Sequence, residues 1–494
     1  MKYISTRGQD KNGVSSAYAI KTGLASDKGL YMPERIPSLS LEEIENLIDA
    51  SYPERAARVL CKYLSDYSYE ELLEDAEAAY SEERFYDFPA KLTPMKDGTF
   101  MLELWHGPTC AFKDMALQIM PRLFVRALRK CGEDRTALIL VATSGDTGKA
   151  ALEGYRDVNG TMVKVFYPID GVSRVQKMQM QTQGGNNVSV TGIIGNFDDA
   201  QSGVKEIFAD EKYAKELDSH GVFLSSANSI NWGRLAPQIA YYVSAYCDMV
   251  KCGAIKLGEI VDVCVPTGNF GNIFACYLAK LMGLPVGKLI CASNKNDVLT
   301  EFLETGVYNK NRVFHTTMSP SMDILISSNL ERLLYVTLGT EKTAKYMEDL
   351  AKNGKYHLSS DDFARISSDF VGYSADETDT AATVKDVYEN KNCLIDPHTA
   401  VAYSATTRYI RANKAERKIL TVSTASAYKF AADVYTSLTG ARPDDELKAL
   451  SMLEALTGEP IPAPLRELDK KEAIHTLVIN KTEMRDAVSE FAKE

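Results

Sequence analysis

At 494 residues the chain is longer than one hydrophobic core usually supports, so two or more domains are expected, with mass enough to enclose a deep pocket. Its 67 acidic against 56 basic residues leave a net charge of −11, which argues against nucleic acid as the main partner and requires any anionic ligand to be held by a local site. The opening MKYISTRGQDKNG lacks the apolar stretch of a signal peptide, and no run of about 18 uninterrupted apolar residues occurs, so a cytoplasmic protein with no membrane partner is expected.

Residues 1 to about 90 mix turn signals with acidic amphipathic stretches, LEEIENLIDA and YEELLEDAEAAY, whose apolar spacing predicts helices in a small N-terminal domain. HGPTCAFKD, His106 to Asp114, then sets Lys113 behind six uncharged residues, Gly107 to Phe112, and ahead of a predicted helix, Met115 to Leu123. From Ala137 the pattern changes to short apolar runs, each followed by a turn and a helical segment. ALILVA leads through TSGDTG to KAALEGY, VDVCVP through TGNFGN to IFACYLAKLM, and KILTVS through TASAY to KFAADVY. Strand, turn and helix repeated in this order predict a parallel sheet with ligand loops at the carboxyl ends of its strands. A candidate insert lies between about Lys352 and Asp386, and the tail from Ala441 reads as charged and helical. Nine cysteines without a CxxC pair point to reduced thiols, and six scattered histidines without HExxH or HxH give no support to a metal site. His106 and His398 are read as satisfied structural histidines.

PTGNFGN, Pro266 to Asn272, is the best phosphate cradle: two glycines let the backbone approach an anion, and the following helix points its unpaired N–H groups there. An ordinary strand-to-helix turn is the alternative. TSGDTGKAA fails the Walker A spacing, with two residues rather than four between its glycines and Ala150 after Lys149. Ser144, Thr147 and nearby amides can instead grip a carboxylate, or the two hydroxyls can simply cap the helix. In NSINWGR, Arg234 can clamp a phosphate with help from Asn228, although spacing alone favours a solvated surface arginine. Arg174 and Lys177 read as a helix face. Lys113 is either a surface charge beside Asp114 or, if its uncharged neighbours shelter it, a free amine able to form a Schiff base. Beside a phosphate loop, such an amine suggests an aldehyde cofactor bearing a phosphate, pyridoxal phosphate.

HGPTCAFKD, TSGDTGKAA, NSINWGR and PTGNFGN together resemble threonine synthase of the bacterial and fungal type, a pyridoxal-phosphate enzyme of the tryptophan synthase β fold group. MKYISTRG and GLASDKGLYMPERIP resemble that family's N-terminal domain, and TASAYKFAADV its closing cofactor segment. The resemblance implies an α/β, tryptophan synthase β-like fold of parallel-sheet domains flanked by helices: an N-terminal domain over residues 1–90 and a catalytic region over 91–494, made of two subdomains with the site between them. It implies that Lys113 carries the cofactor and then moves protons, and that Gly268, Asn269, Phe270, Gly271 and Asn272 hold the cofactor phosphate. Thr424 would meet the pyridine nitrogen, Ser144, Gly145, Asp146, Thr147 and Gly148 would receive the substrate carboxylate, and Asn228 with Arg234 would grip the substrate phosphate. The implied activity is that of a carbon–oxygen lyase converting O-phospho-L-homoserine and water to L-threonine and phosphate, working as a monomer. One departure is local: the family commonly reads STAHP where this chain has Ser423-Thr424-Ala425-Ser426-Ala427, which leaves the hydroxyl but changes the loop. Two rival readings share Lys113: a serine or threonine dehydratase, which needs no second phosphate socket, and a cofactor-binding protein without catalysis.

Overall fold

The computed structural model describes residues 1–8 and 12–493; Gln9, Asp10 and Lys11 of the opening stretch lie outside the described residues. Two sheets carry the architecture. The first runs in the order Phe370–Ser374, Val286–Ser293, Val261–Pro266, Ile419–Ser423, Phe100–Glu103, Lys91–Pro94. Its strands are parallel except the last, which pairs antiparallel at the edge. The second sheet, Val478–Asn480, Val188–Ile194, Thr161–Pro168, Thr136–Ala142, Val222–Ser225, is parallel throughout. The apolar runs suit this arrangement because parallel sheets are covered on both faces; every residue of Val261–Pro266 is buried.

The three strand–turn–helix units expected from the sequence are present. Thr136–Ala142 leads to the helix Asp146–Tyr155, Val261–Pro266 to Gly271–Met282, and Ile419–Ser423 to a short 3-10 turn, Ala427–Phe430, followed by Ala431–Thr439. The turns therefore belong to both sheets, and the strand order brings them to the carboxyl ends.

The N-terminal region is helical as expected, with capping boxes at Ser51/Glu54 and Ser68/Glu71 starting the helices Tyr52–Tyr63 and Tyr69–Ala79. LEEIENLIDA is helical only over Leu41–Glu45. The region shares its core with the rest of the chain. Trp232 is wholly buried, with Tyr3 and Tyr63 at ring distances of 5.4 and 5.5 Å, and Arg55 donates from Tyr52–Tyr63 to Ser244 and Asp248. Those contacts fix the short helix Trp232–Leu235, which bears Arg234.

Three further elements differ from the sequence reading. The stretch 352–386 is part of the first sheet, supplying its edge strand Phe370–Ser374. The charged tail supplies the strand Val478–Asn480, which pairs with Val188–Ile194 at the edge of the second sheet. The helix after Lys113 is broken into Asp114–Leu117 and Met120–Lys130. Pro121 has no N–H for the Leu117 carbonyl, which instead faces Gly154 so closely that a Cβ there would meet it at 1.9 Å.

Candidate active site

Lys113 is 8% exposed, at the start of Asp114–Leu117. The preceding backbone is pinned to the Thr424 segment: Phe112 N–H donates to the Thr424 carbonyl (2.8 Å), Ser426 N–H to the Cys110 carbonyl (3.1 Å), and Ala111 bridges Ala425. Cys110 takes a left-handed φ of 58°, strain of the kind that collects at functional sites. The Nζ donates to Asp146 Oδ2 (3.3 Å) and Ser321 Oγ (3.2 Å) and lies 4.9 Å from the Phe112 ring centre. Burial holds this amine below the usual lysine range, Asp146 opposing that shift and the charges of Arg234 and Lys429 adding to it. The sheltered alternative for Lys113 is therefore the one realised.

Ser321 joins Lys113 to the PTGNFGN turn, because a Cβ on Gly268 would sit 2.7 Å from the Ser321 carbonyl oxygen. Ser327 Oγ donates to the Gly268 carbonyl (2.7 Å), and Asn329 Nδ2 donates to the Asn269 carbonyl (2.9 Å) and to Ser229 Oγ (3.1 Å). The turn's carbonyls are thus drawn outward. Among the described residues no acceptor engages the backbone N–H groups of Asn269, Phe270, Gly271 or Asn272. Phe270 has φ 63°, and the twelve-residue helix Gly271–Met282 begins immediately after it. Tyr241 and Tyr242 both donate to Asn272 Oδ1, while its buried Nδ2 has no partner among the described residues.

In the TSGDTG turn the cap differs from the sequence reading: Thr143 Oγ1, not Ser144 or Thr147, accepts from the N–H groups of Gly145 and Gly148, each at 2.9 Å. That frees the Ser144 and Thr147 hydroxyls, which have no protein partner among the described residues, and leaves the N–H groups of Ser144, Asp146 and Thr147 available. Gly145 is required here; its φ is 135°, and a Cβ would meet Gln176 at 2.4 Å. The Asp146 carboxylate turns inward, with Oδ1 accepting from Gln176 Nε2 (2.8 Å) and lying 2.8 Å from Lys429 Nζ. Burial would raise its pKa, but Lys429, Lys113 and Gln176 outweigh burial and hold it well below the usual carboxylate range.

The surface reading of Arg234 does not hold: the residue is 4% exposed, and its guanidinium has one protein acceptor among the described residues, the Ala227 carbonyl at 2.7 Å. Burial lowers its pKa to about 10, so it remains charged at neutral pH. Asn228 follows Ala227 directly and its side chain makes no protein hydrogen bond among the described residues. Arg174, half exposed beside Asp445, belongs to a helix face as expected. His398 is fixed between Asp396 Oδ2 (2.6 Å) and the Ser321 N–H, which donates to its Nε2 (3.1 Å), and His106 bonds Glu103. A cavity of about 240 Å³ lined by Arg84, Lys149, Glu153 and Gln179 includes neither Lys113 nor either turn.

Sequence reasoning missed Ser321, Asn329, Gln176 and Lys429. Lys429 carried a signal, as a lysine inside the quoted TASAYKFAADV, and Gln176 another, as the last residue of a Ser173-x-x-Gln176 capping box. At the position of the local departure from STAHP, Ser426 accepts from Tyr428 N–H and caps the 3-10 turn bearing Lys429.

These groups fit pyridoxal phosphate: a desolvated amine, a row of free N–H groups at a helix start, the Asn272 Nδ2, unpaired among the described residues, and the Thr424 hydroxyl, unbonded to protein among the described residues and carried on the segment whose carbonyl accepts from Phe112 N–H. Together with the paired parallel sheets they define the class of pyridoxal-phosphate-dependent enzymes with a tryptophan synthase β-like fold. Residues 96–425 match the family model described as pyridoxal-phosphate dependent enzyme, and residues 2–80 the one described as threonine synthase N terminus. A threonine synthase of Pseudomonas aeruginosa is 38% identical over 90% of this chain and 92% of its own. The PLP-bound threonine synthase of Brucella melitensis superposes with a TM-score of 0.87 at 34% identity, covering 100% of both chains. The chain belongs to the threonine synthase family. The human threonine synthase-like 1 protein is 42% identical over 78% of this chain, but the match takes in 53% of that protein, so the chain spans about half the length of such relatives.

Proposed function

We propose that the chain converts O-phospho-L-homoserine and water to L-threonine and inorganic phosphate, the last step of threonine biosynthesis. One observation carries the reading: Arg234 is a buried cation with a single protein acceptor among the described residues, its charge adding to the burial that lowers the Lys113 pKa, and so it offers an anion socket beyond the one a cofactor phosphate uses. A dehydratase of serine or threonine has no second phosphate to place there.

Pyridoxal phosphate, when bound, supplies the electron sink that acidifies substrate protons near the amino group. Lys113 holds the cofactor and, once displaced, takes and returns protons with its amine, which Asp146 and Ser321 keep aimed. The N–H groups along Gly268, Asn269, Phe270, Gly271 and Asn272 hold the cofactor phosphate, and Thr424 meets the pyridine nitrogen. Ser144, Asp146 and Thr147 offer N–H or hydroxyl donors to the substrate carboxylate, with Gly145 and Gly148 allowing its close approach. The Asp146 side chain takes no part in that contact, since two carboxylates repel; it serves the lysines. Asn228 and Arg234 hold the substrate phosphate in line for departure.

The same reading places the site between two α/β subdomains of a catalytic region, residues 91–494, behind an N-terminal unit, residues 1–90. The site's contacts support it: Asp146 follows a strand of the second sheet, while Gly268 follows one of the first. A monomer in the cytoplasm is the working form; none of the described helices is long and apolar enough to cross a membrane, and all nine cysteines are free, which suits a reducing compartment. Incubating the cofactor-loaded protein with O-phospho-L-homoserine should yield threonine and phosphate in equal amounts. Ammonia released from serine or threonine, with no phosphate from phosphohomoserine, would instead identify a dehydratase.

A further inference from the structure

Lys429 is wholly buried on the 3-10 turn Ala427–Phe430, and its Nζ donates to the Thr109 carbonyl at 2.8 Å. It also meets Asp146 Oδ1 at 2.8 Å, while the other oxygen of that carboxylate faces Lys113 Nζ at 3.3 Å. Asp146 is therefore a bridge, one oxygen to each lysine. A buried carboxylate left alone beside Lys113 would form a tight ion pair and hold the proton on its amine, since an opposite charge within about 4–6 Å shifts a pKa by roughly 1–3 units. Such an amine is a poor base. The other charged groups around Lys113 are Arg234 from Trp232–Leu235 and the carboxylate of Asp114, which Thr109 N–H and Oγ1 engage; Ser321, backed by His398, is neutral.

We propose that Lys429 is a positioning residue for the reacting amine: it neutralises Asp146 and fixes its carboxylate, so that Asp146 does not hold the proton on Lys113. The proposal rests on Lys113 being the cofactor-bearing residue. Its sign is definite. Removing Lys429 leaves the full Asp146 charge facing Lys113 and strengthens proton retention, whereas removing the Asp146 charge weakens it.

The test titrates against pH the visible absorbance of pyridoxal-phosphate-loaded protein, which reads the Lys113 nitrogen while it carries the cofactor, alongside the pH profile of kcat, which reads the amine once displaced. Lys429→Met should move the absorbance midpoint and the acidic limb of the profile upward by about one unit or more. Lys429→Arg, which keeps the charge, should titrate with the wild type, and Asp146→Asn should move the midpoint downward. If Lys429→Met does not fold, Asp146→Asn/Lys429→Met removes both charges together; it should titrate above Asp146→Asn alone, because the direct repulsion between the two ammonium groups is gone. Unmoved midpoints in Lys429→Met, with only a lowered Tm, would reduce Lys429 to a tether for Thr109 and overturn the proposal. A wild-type protein with no borohydride-reducible adduct on Lys113 would overturn the functional reading itself, which is a separate outcome.

Discussion

Arg332, wholly buried, directs all three guanidinium nitrogens at protein oxygens: the carbonyls of Tyr31, Ser229 and Ile230 and the Asn329 side chain. Arg234, almost as buried and on the neighbouring segment, directs one nitrogen at the Ala227 carbonyl. Burial lowers both pKa values, to about 9 and about 10, so titration alone does not separate them. The hydrogen-bond inventory does. A cation saturated by carbonyls is a clamp, here tying the N-terminal region to the NSINWGR segment and Asn329. A cation with spare, pre-aimed donors is destabilising until an anion arrives, and that is the mark of a ligand site. The same division separates Thr143, which closes its helix start, from Ser144 and Thr147, which do not.

The comparison can be broken most severely at its centre. Lys113→Ala should abolish covalent cofactor attachment, read as the loss of a borohydride-reducible adduct, and lower kcat by about 10³-fold or more; an adduct retained would place the reactive amine on another lysine. Arg234→Ala should lower kcat/KM for phosphohomoserine by about 10²-fold or more while leaving Tm level or raised. Inorganic phosphate should protect the wild type against heat and fail to protect this variant. Arg332→Met should do the reverse, costing about 3 kcal/mol in denaturant unfolding because several buried carbonyls lose their donor. Equal behaviour of the two arginine variants would erase the distinction between clamp and socket. The smallest effect should come from Thr143→Val, which removes the acceptor for two N–H groups: about 1–2 kcal/mol of stability, with a modest rise in KM as the carboxylate turn loosens.

Much of the site was legible because its parts are local in sequence. A glycine-rich turn between an apolar strand and a helix presents N–H groups wherever it folds, and HGPTCAFKD announced a lysine among uncharged neighbours. The misreadings share a different cause. Arg234 looked like a surface charge because the groups that act on it once it is buried, Tyr155, Tyr241 and Asp114, are not its neighbours in sequence. Phe370–Ser374 and Val478–Asn480 escaped notice because edge strands bury fewer residues and carry weaker apolar patterns. Both the Ser144 and Thr147 hydroxyls lie at a spacing that leaves capping open beside carboxylate binding; only the path of the turn selects Thr143 as the cap.

The sequence by itself determined the alternation of strand, turn and helix, the glycine-rich turn ahead of its helix and the lysine among uncharged neighbours, because backbone geometry and local polarity act over a few residues. Tertiary structure alone decided which charges meet: Asp146 between Lys113 and Lys429, Ser321 against Gly268, and Arg234 left with donors to spare. Coulomb interactions and desolvation depend on distance and burial, and neither is written in the order of the residues.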